Sequence, residues 1–376
     1  MIKRDLPIAL IVILSLAYLP AADSNEAITA EKEEKGAQAL TKKCKNRVIA
    51  SPIVFYTPET RLAFGGGGSF VFRLAGCDKK SRPSSISPLL IYTLEKQFKA
   101  QVGTALYFKN NNYQLNAEIK LEKYPNKFYG VGSSTREQDE ELYTSRSIDL
   151  FLSLLKKIGG GFNIGIQYHF MDWEITETEE DGQLAGSDFS GSDGGALSGV
   201  SFVVNRDTRD NIFFPMKGDF FELNTRFYKK FLGSDFNFTT STLNLRKYFT
   251  LFSSHVFAVQ SLVRAQSGNV PFMNLASVGG QYIMRGYFEG RFRDKNLLVF
   301  QAEYRVPLFW RFGAVGFAGF GNVAEKFNQL NLGKLKPSYG VGLRFLFDKK
   351  EKIWLRFDVG FGKDATGFYA SIFEAF

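Results

Sequence analysis

Side chains able to carry covalent or metal chemistry are few in this sequence, and they stand apart. The chain has two cysteines, Cys44 and Cys77, and two isolated histidines, His169 and His255. Two cysteines cannot furnish a four-ligand zinc site. In an exported chain such an even pair reads as a candidate disulfide, with both thiols free as the alternative, because spacing says nothing about geometry. No G-x-S-x-G, G-x-x-x-x-G-K-[ST] or H-E-x-x-H occurs. Gly65-Gly66-Gly67-Gly68 is not followed by a phosphate-binding helix pattern and reads as easing backbone packing in a strand. The acidic run Glu177, Glu179, Glu180, Asp181, Asp188 and Asp193 lacks the calcium-loop spacing and reads as a solvated loop. The expectation is a non-enzyme without cofactor or metal.

Charge is the remaining chemistry. Lys and Arg outnumber Asp and Glu, 47 to 38, for a net charge of +9. No basic helix or aromatic RNA-binding motif accompanies that excess, so nucleic acid is not the expected partner. A basic lumen or an attraction to anionic lipid headgroups is.

The elements that must hold these charges are strands. Sixteen candidates follow from Ala50 onward: 50–56, 61–74, 85–94, 98–108, 113–123, 142–156, 160–175, 196–206, 218–230, 234–249, 255–267, 296–308, 311–323, 336–348, 352–362 and 366–376. Alternation is clean in many. In 352–362, Ile353, Leu355, Phe357, Val359 and Phe361 share one face, and Trp354, Arg356 and Asp358 the other. In 296–308, Leu298, Phe300, Tyr304 and Val306 oppose Gln301, Glu303 and Arg305. Such a pattern fits a soluble sandwich with its apolar face inward, or a membrane barrel with that face on lipid.

Three features select the barrel. Lys3 and Arg4, the apolar run Leu6–Leu19, and Ala21-Ala22 read as a cleaved signal peptide over 1–22, the alternative being a retained anchor. The strand count is even. The chain closes on Phe376, an aromatic expected at the end of the last strand and read as an assembly signal, or else as an interfacial anchor. Residues 23–47 read as a periplasmic tail and 48–376 as a sixteen-stranded antiparallel transmembrane β-barrel. The long connections 124–141, 176–195, 268–295 and 324–335 fall on one side, and the short ones 109–112, 157–159 and 250–254 on the other. That matches long external loops and short periplasmic turns, and it puts Cys44 and Cys77 at the periplasmic rim.

Four segments have distinctive sequence: Gly279-Gly280-Gln281-Tyr282-Ile283-Met284-Arg285-Gly286-Tyr287; Asp207-Thr208-Arg209-Asp210-Asn211 with Phe214-Pro215 and Gly218; Pro125–Gly132; and Ser371–Phe376. Together they resemble the bacterial surface-antigen superfamily, the BamA/TamA-type outer-membrane barrels, over residues 50–376. The resemblance implies a sixteen-stranded barrel whose sixth external loop folds into the lumen. Met284, Arg285, Gly286 and Tyr287 then correspond to the lid motif. Arg285 corresponds to the lid arginine and Glu303 to one acidic partner on the wall. The usual second partner lies in an F-x-D-x-G stretch, where this chain has Phe317-Ala318-Gly319-Phe320-Gly321, so Asp358 is the expected substitute. An Arg held by carboxylates is sound physically, since the guanidinium pairs bidentately and is costly to bury alone. The turn residues Asp207, Arg209, Asp210, Pro215 and Gly218 read as local turn chemistry, with partner docking as the alternative.

The resemblance further implies a role in inserting proteins into, or moving them across, the outer membrane of a Gram-negative bacterium, through a weak seam between first and last strands. Pro52 in a short first strand suits such an edge, and an exposed edge templates pairing. The sequence matches the short branch of the superfamily without periplasmic POTRA domains. Expected partners are outer-membrane lipid including lipopolysaccharide, with unfolded outer-membrane proteins or a separate POTRA-bearing protein as clients or helpers, and the barrel itself a monomer. A passive, anion-favouring pore, a structural barrel or an export pore for one dedicated partner are the alternatives.

Overall fold

The computed structural model describes residues 46–74, 82–185, 189–252, 254–349 and 352–376. Sixteen strands close into one antiparallel barrel. They are β1 (Arg47–Thr57), β2 (Arg61–Phe72), β3 (Ser84–Thr93), β4 (Phe98–Phe108), β5 (Tyr113–Phe128), β6 (Glu141–Gly159), β7 (Phe162–Thr178), β8 (Gly194–Asp207), β9 (Gly218–Tyr228), β10 (Phe238–Leu251), β11 (His255–Gly268), β14 (Asn296–Pro307), β15 (Phe312–Ala324), β16 (Lys336–Asp348), β17 (Ile353–Gly362) and β18 (Ala365–Ile372). Two three-residue strands, β12 (Ala276–Val278) and β13 (Phe292–Asp294), form a separate hairpin inside the connection between β11 and β14.

Alternation sorts side chains between the two faces, because successive Cβ atoms point to opposite sides of a strand. On β17, Arg356 and Asp358 are buried while Phe361 is exposed. On β14, Gln301, Glu303 and Arg305 are buried and Tyr304 is exposed. Charged residues therefore line the interior and apolar ones the outside, the inverse of a soluble sandwich. Gly65 shows what the glycine run does: a Cβ there would lie 1.9 Å from the Leu90 carbonyl oxygen.

The strands are uneven in length. β6 has 19 residues and β7 has 17, whereas β17 has 10 and β18 has 8. The surplus in β5–β8 rises past the rest of the wall. It is held by an apolar cluster of Phe128, Tyr143, Trp173, Leu197, Phe236 and Phe272. This corrects the expected connection 124–141: β5 continues through Pro125 and Asn126 to Phe128, paired with β6 as far as Glu141.

The wall closes unevenly too. β2 pairs β1 along its whole length, from Arg47 opposite Val71 to Thr57 opposite Arg61. On its other edge β1 meets β18 at Tyr56 opposite Ala370, the one registered pair of that seam among the described residues. Every other neighbouring pair of wall strands runs as an extended ladder.

The last strand ends earlier than expected. β18 stops at Ile372, and Phe373 takes a left-handed φ of 69° that turns the chain out of the ladder. Glu374, Ala375 and Phe376 are buried. The Phe376 ring packs with Tyr248, Val256 and Ala258 on the inner faces of β10 and β11. It is therefore neither the end of the closing strand nor an anchor facing lipid, because the turn at Phe373 redirects it inward.

Candidate functional site

The segment between β12 and β13 is a tight loop made possible by its glycines. Gly279 and Gly286 have φ of 118° and 116°, a region L side chains rarely enter. A Cβ on Gly286 would lie 2.6 Å from the Phe361 backbone. The wall is cut back to match: a Cβ on Gly360 would come 2.6 Å from the Arg285 backbone, and one on Gly362 2.5 Å from the Tyr287 ring. Met284, Arg285 and Tyr287 are all buried in this contact.

Arg285 is the centre of a buried ionic cluster. One terminal nitrogen donates to Glu303 on β14 and the other to Asp358 on β17. Its guanidinium lies 3.6 Å above the Phe317 ring on β15. Gly319, two residues on, has no carboxylate to offer, and a Cβ there would sit 2.9 Å from the Gln301 side chain. The cluster extends further. Arg305 donates from Nε to Glu303 at 2.8 Å. Arg344 donates from Nη1 to Asp358 at 2.6 Å and from Nε to Glu374 at 2.9 Å. Arg356 lies 3.6 Å from Asp358. The set is not fully satisfied: among the described residues Arg305 Nη1, Arg344 Nη2 and Arg356 Nε and Nη1 are buried without a hydrogen-bond partner, and in a low-dielectric interior that raises the dependence of each arginine on the carboxylates it does reach.

The same loop touches both strands of the seam region. On one side, the Tyr369 hydroxyl of β18 accepts from the Gly286 N–H at 3.0 Å and donates to the Tyr287 carbonyl at 3.2 Å. On the other, Glu59 in the β1–β2 turn accepts from the Glu289 N–H at 2.8 Å. The Tyr287 hydroxyl donates to the Pro337 carbonyl at 2.8 Å and accepts from the Lys363 N–H at 2.7 Å. The Arg285 carbonyl accepts from Ser338.

Glu59 and Glu289 make this contact electrostatically tense. Burial raises the Glu59 carboxyl above its ordinary range, against hydrogen bonds from Thr57 and Glu289. Burial, with Glu59 beside it, pushes Glu289 up to about 7, with Arg293 and Lys99 opposing and Glu122 adding to the shift. Glu59 is buried, whereas the Glu289 side chain keeps a solvent-exposed side.

At the opposite end of the barrel, the β8–β9 turn is locally built. Asp207 accepts from Arg209 Nε at 2.9 Å and Nη2 at 2.8 Å. Asp210 accepts from the Met216 N–H at 2.9 Å. Pro215 is buried and Gly218 has φ of 104°. The turn also packs on the tail: Phe213 stacks on Phe373 and Phe214 on Trp354, while Met216 joins the Phe376 cluster. Turn and tail thus make one layer across the short-turn end of the barrel.

Cys44 and Cys77 lie outside the described residues, as do 1–45 generally. Among the described residues no group of three or more His, Cys, Asp or Glu is placed to hold a metal ion. Sequence reasoning did not single out Glu59, Arg344, Tyr369 or Glu374. Arg344 and Tyr369 carry an inward-facing parity signal in their strand pattern, whereas Glu374 falls on the parity of the exposed Phe368 and Ile372 and Glu59 has no local signal at all.

The profile of the Omp85 superfamily domain matches residues 85–347. No curated protein sequence matches the chain. Among solved structures, the chain resembles BamA from Haemophilus ducreyi lacking POTRA domains 1–3, with a TM-score of 0.62 and 15% identity, over 88% of this chain and 71% of that one. CdiB from Acinetobacter baumannii follows at 0.55 and 14%, over 86% and 59%, and CdiB from Escherichia coli at 0.56 and 9%, over 89% and 68%. At such identity the likeness is one of fold.

Proposed function

The chain belongs to the Omp85 superfamily, and from that membership we propose that it is an outer-membrane barrel that inserts proteins into, or passes them across, that membrane through its β1–β18 seam. The observation that carries the reading is the contrast between one registered pair at the seam and extended ladders everywhere else. An unpaired edge of β1 offers backbone donors and acceptors to an incoming strand. Loop 279–291 acts as the lid: bonded to Tyr369 on one side and Glu59 on the other, it straps the seam, and the Arg285 cluster moors the strap to the wall. Clients on this reading are unfolded outer-membrane proteins, delivered directly or by a separate POTRA-bearing periplasmic protein, to a monomeric barrel set in lipid and lipopolysaccharide. The β8–β9 turn lies on the periplasmic face such a client or helper meets, with Phe376 buried beneath it, so an assembly-signal role for Phe376 requires that the tail be extended before the barrel closes.

The test is client folding in proteoliposomes, followed as the gain of protease resistance. Tyr56→Cys and Ala370→Cys, in a Cys44→Ser/Cys77→Ser background, face each other across the seam at a separation that suits a disulfide. The expected result is faster client folding with the reduced barrel and none of that acceleration with the oxidised one. Equal acceleration in both states overturns the seam as the route.

One observation favours a second reading. Arg226, Arg246 and Arg264 on the inner wall of β9–β11 lack ion-paired carboxylates among the described residues, as an anion-favouring pore requires. Large, steady single-channel conductance from the unmodified barrel selects it over the strapped lid.

A further inference from the structure

Two recesses indent the outer face of the wall. The larger, about 830 Å³, crosses β1–β5 beside the seam, with Ala50, Pro52, Gly66, Pro88 and Ala100 in its floor and Ile119 on its far bank. It exists because small residues and prolines occupy outward positions on adjacent strands where Phe or Leu stands elsewhere. Gly66 is open outward: a Cβ there would meet nothing nearer than the Ser51 carbonyl at 4.0 Å. The second recess, about 620 Å³, crosses β9–β15.

The charges below the two recesses differ. At the short-turn end of β3–β6, Arg82, Lys109, Lys156 and Lys157 are exposed, and among the described residues none is ion-paired with a carboxylate. Lys109 lies 5.6 Å over Tyr113 on the outward face, whereas Arg82 lies over Tyr107, which shares the inward face of Gln101 and Gln114, and Lys157 has the inward parity of Ser153. Lys156 is opposite Tyr113 and shares the outward face of Leu152 and Leu154. At the other end of the same strands both signs occur and pair, as Arg61 with Glu95 at 3.4 Å and Lys123 with Glu177 at 3.9 Å. Beside the second recess, Lys247 is already held by Asp219 at 3.3 Å. Lys217, two residues before Asp219, is exposed and likewise not ion-paired with a carboxylate among the described residues, so what sets the first recess apart is a pair of such cations, Lys109 and Lys156, on its lipid-facing rim.

Spacing joins recess and rim. From Ile119 to Tyr113, which stands opposite Lys156, the strand runs about 20 Å at about 3.3 Å per residue, less once tilted, against a half-thickness of about 15 Å for the hydrocarbon core. That is the relation of an acyl chain to its own headgroup.

We infer that the β1–β5 recess is the binding site of one anionic glycerophospholipid of the periplasmic leaflet, its acyl chain in the recess and its phosphate on Lys109 and Lys156. The inference rests on the barrel being embedded in a membrane and not on its insertion activity. It places a fixed lipid next to the edge of β1.

Native mass spectrometry of the full-length barrel, released from mixed micelles holding equal phosphatidylglycerol and phosphatidylcholine, tests it. The expected spectrum shows a one-lipid adduct in which phosphatidylglycerol is favoured about fivefold, as for one basic contact or more at an anionic headgroup. Gly66→Leu fills the recess and should remove the adduct for both lipids. Replacing Lys109 and Lys156 by Gln should keep an adduct and abolish the headgroup preference. These rim positions are exposed, so folding survives, and heat-modifiable migration verifies it. Should Gly66→Leu not fold, the rim variant still decides. An undiminished preference in the rim variant, an undiminished adduct in a folded Gly66→Leu barrel, or loss of preference on Lys247→Gln at the second recess would each overturn the assignment.

Discussion

Arg285 serves two carboxylates through two different nitrogens, a division of labour a single ammonium cannot reproduce. Arg285→Ala leaves Glu303 and Asp358 short of a buried partner, and truncating such a pair costs about 3–5 kcal/mol. The expected result is a lower denaturant midpoint and unfolding at lower temperature on heat-modifiability gels, with Arg285→Lys close to Ala. Glu59 works in the opposite sense. Its carboxyl is raised in the folded barrel, so the folded state binds a proton that the unfolded state has released. The loop–hairpin contact is therefore fully stable below the ordinary carboxylate range, and it weakens as pH rises through that range toward neutrality. Protection factors of residues 279–291, in which the intrinsic pH dependence of amide exchange is divided out, should be higher at pH 5 than at pH 8, and Glu59→Gln should remove most of that difference. A pH-independent protection factor in the native protein would exclude the tension between Glu59 and Glu289. Arg285, Glu303 and Asp358 were legible in the sequence because a distinctive loop and strand parity mark them. Glu59 and Glu289 were not, because their meeting depends on how a loop from one edge of the wall lies over a turn from the other.

Among elements, the strands were the most legible part. Each wall strand falls on a segment with period-two alternation, since lipid outside and charge inside enforce the pattern. The misses have physical causes. Pro125 and Asn126 look like loop residues, yet β5 runs through them because β6 and β7 offer a tall partner surface there. The hairpin β12–β13 is too short to show a period. The tail after Ile372 looks like strand, since Phe373 and Phe376 bracket a polar Glu374, but the left-handed turn at Phe373 and the buried partner Arg344 take it inward. The loop's grip on β18 depends on one hydroxyl. Tyr369→Phe strands the Gly286 N–H and should cost about 1–2 kcal/mol, read as faster exchange in 279–291 and readier trypsin cleavage after Arg285. Phe376→Ala should cost about 3 kcal/mol through the void left against Tyr248, read as a lower denaturant midpoint; Glu374 and the Phe376 carbonyl tie the tail, through Arg344 and Arg305, to the carboxylates that hold Arg285.

For the whole molecule, closure into a ring was legible from even strand number and loop asymmetry, and a weak seam was expected from the family resemblance and Pro52. The first strand is not short, however: β1 runs 11 residues with Pro52 inside its ladder to β2, and the single registered pair lies on its other edge. Local opening follows the least-supported structure, so amide exchange in lipid should be fastest in β1 and β18 and slowest in β5–β7. A uniform exchange pattern around the wall would contradict the weak seam.

A closed ring in a bilayer is loaded by lateral pressure, and the load is carried around its circumference. Fifteen of its joints are stiff ladders and one is a near-point contact. Deformation in such a hoop concentrates at the compliant joint and hardly registers elsewhere. Any stretch, bend or thickness change in the surrounding membrane is thereby delivered to a single site, between Tyr56 and Ala370. The barrel is built as a mechanical fuse, and loop 279–291, spanning from Glu59 to Tyr369, is the link that sets its rating.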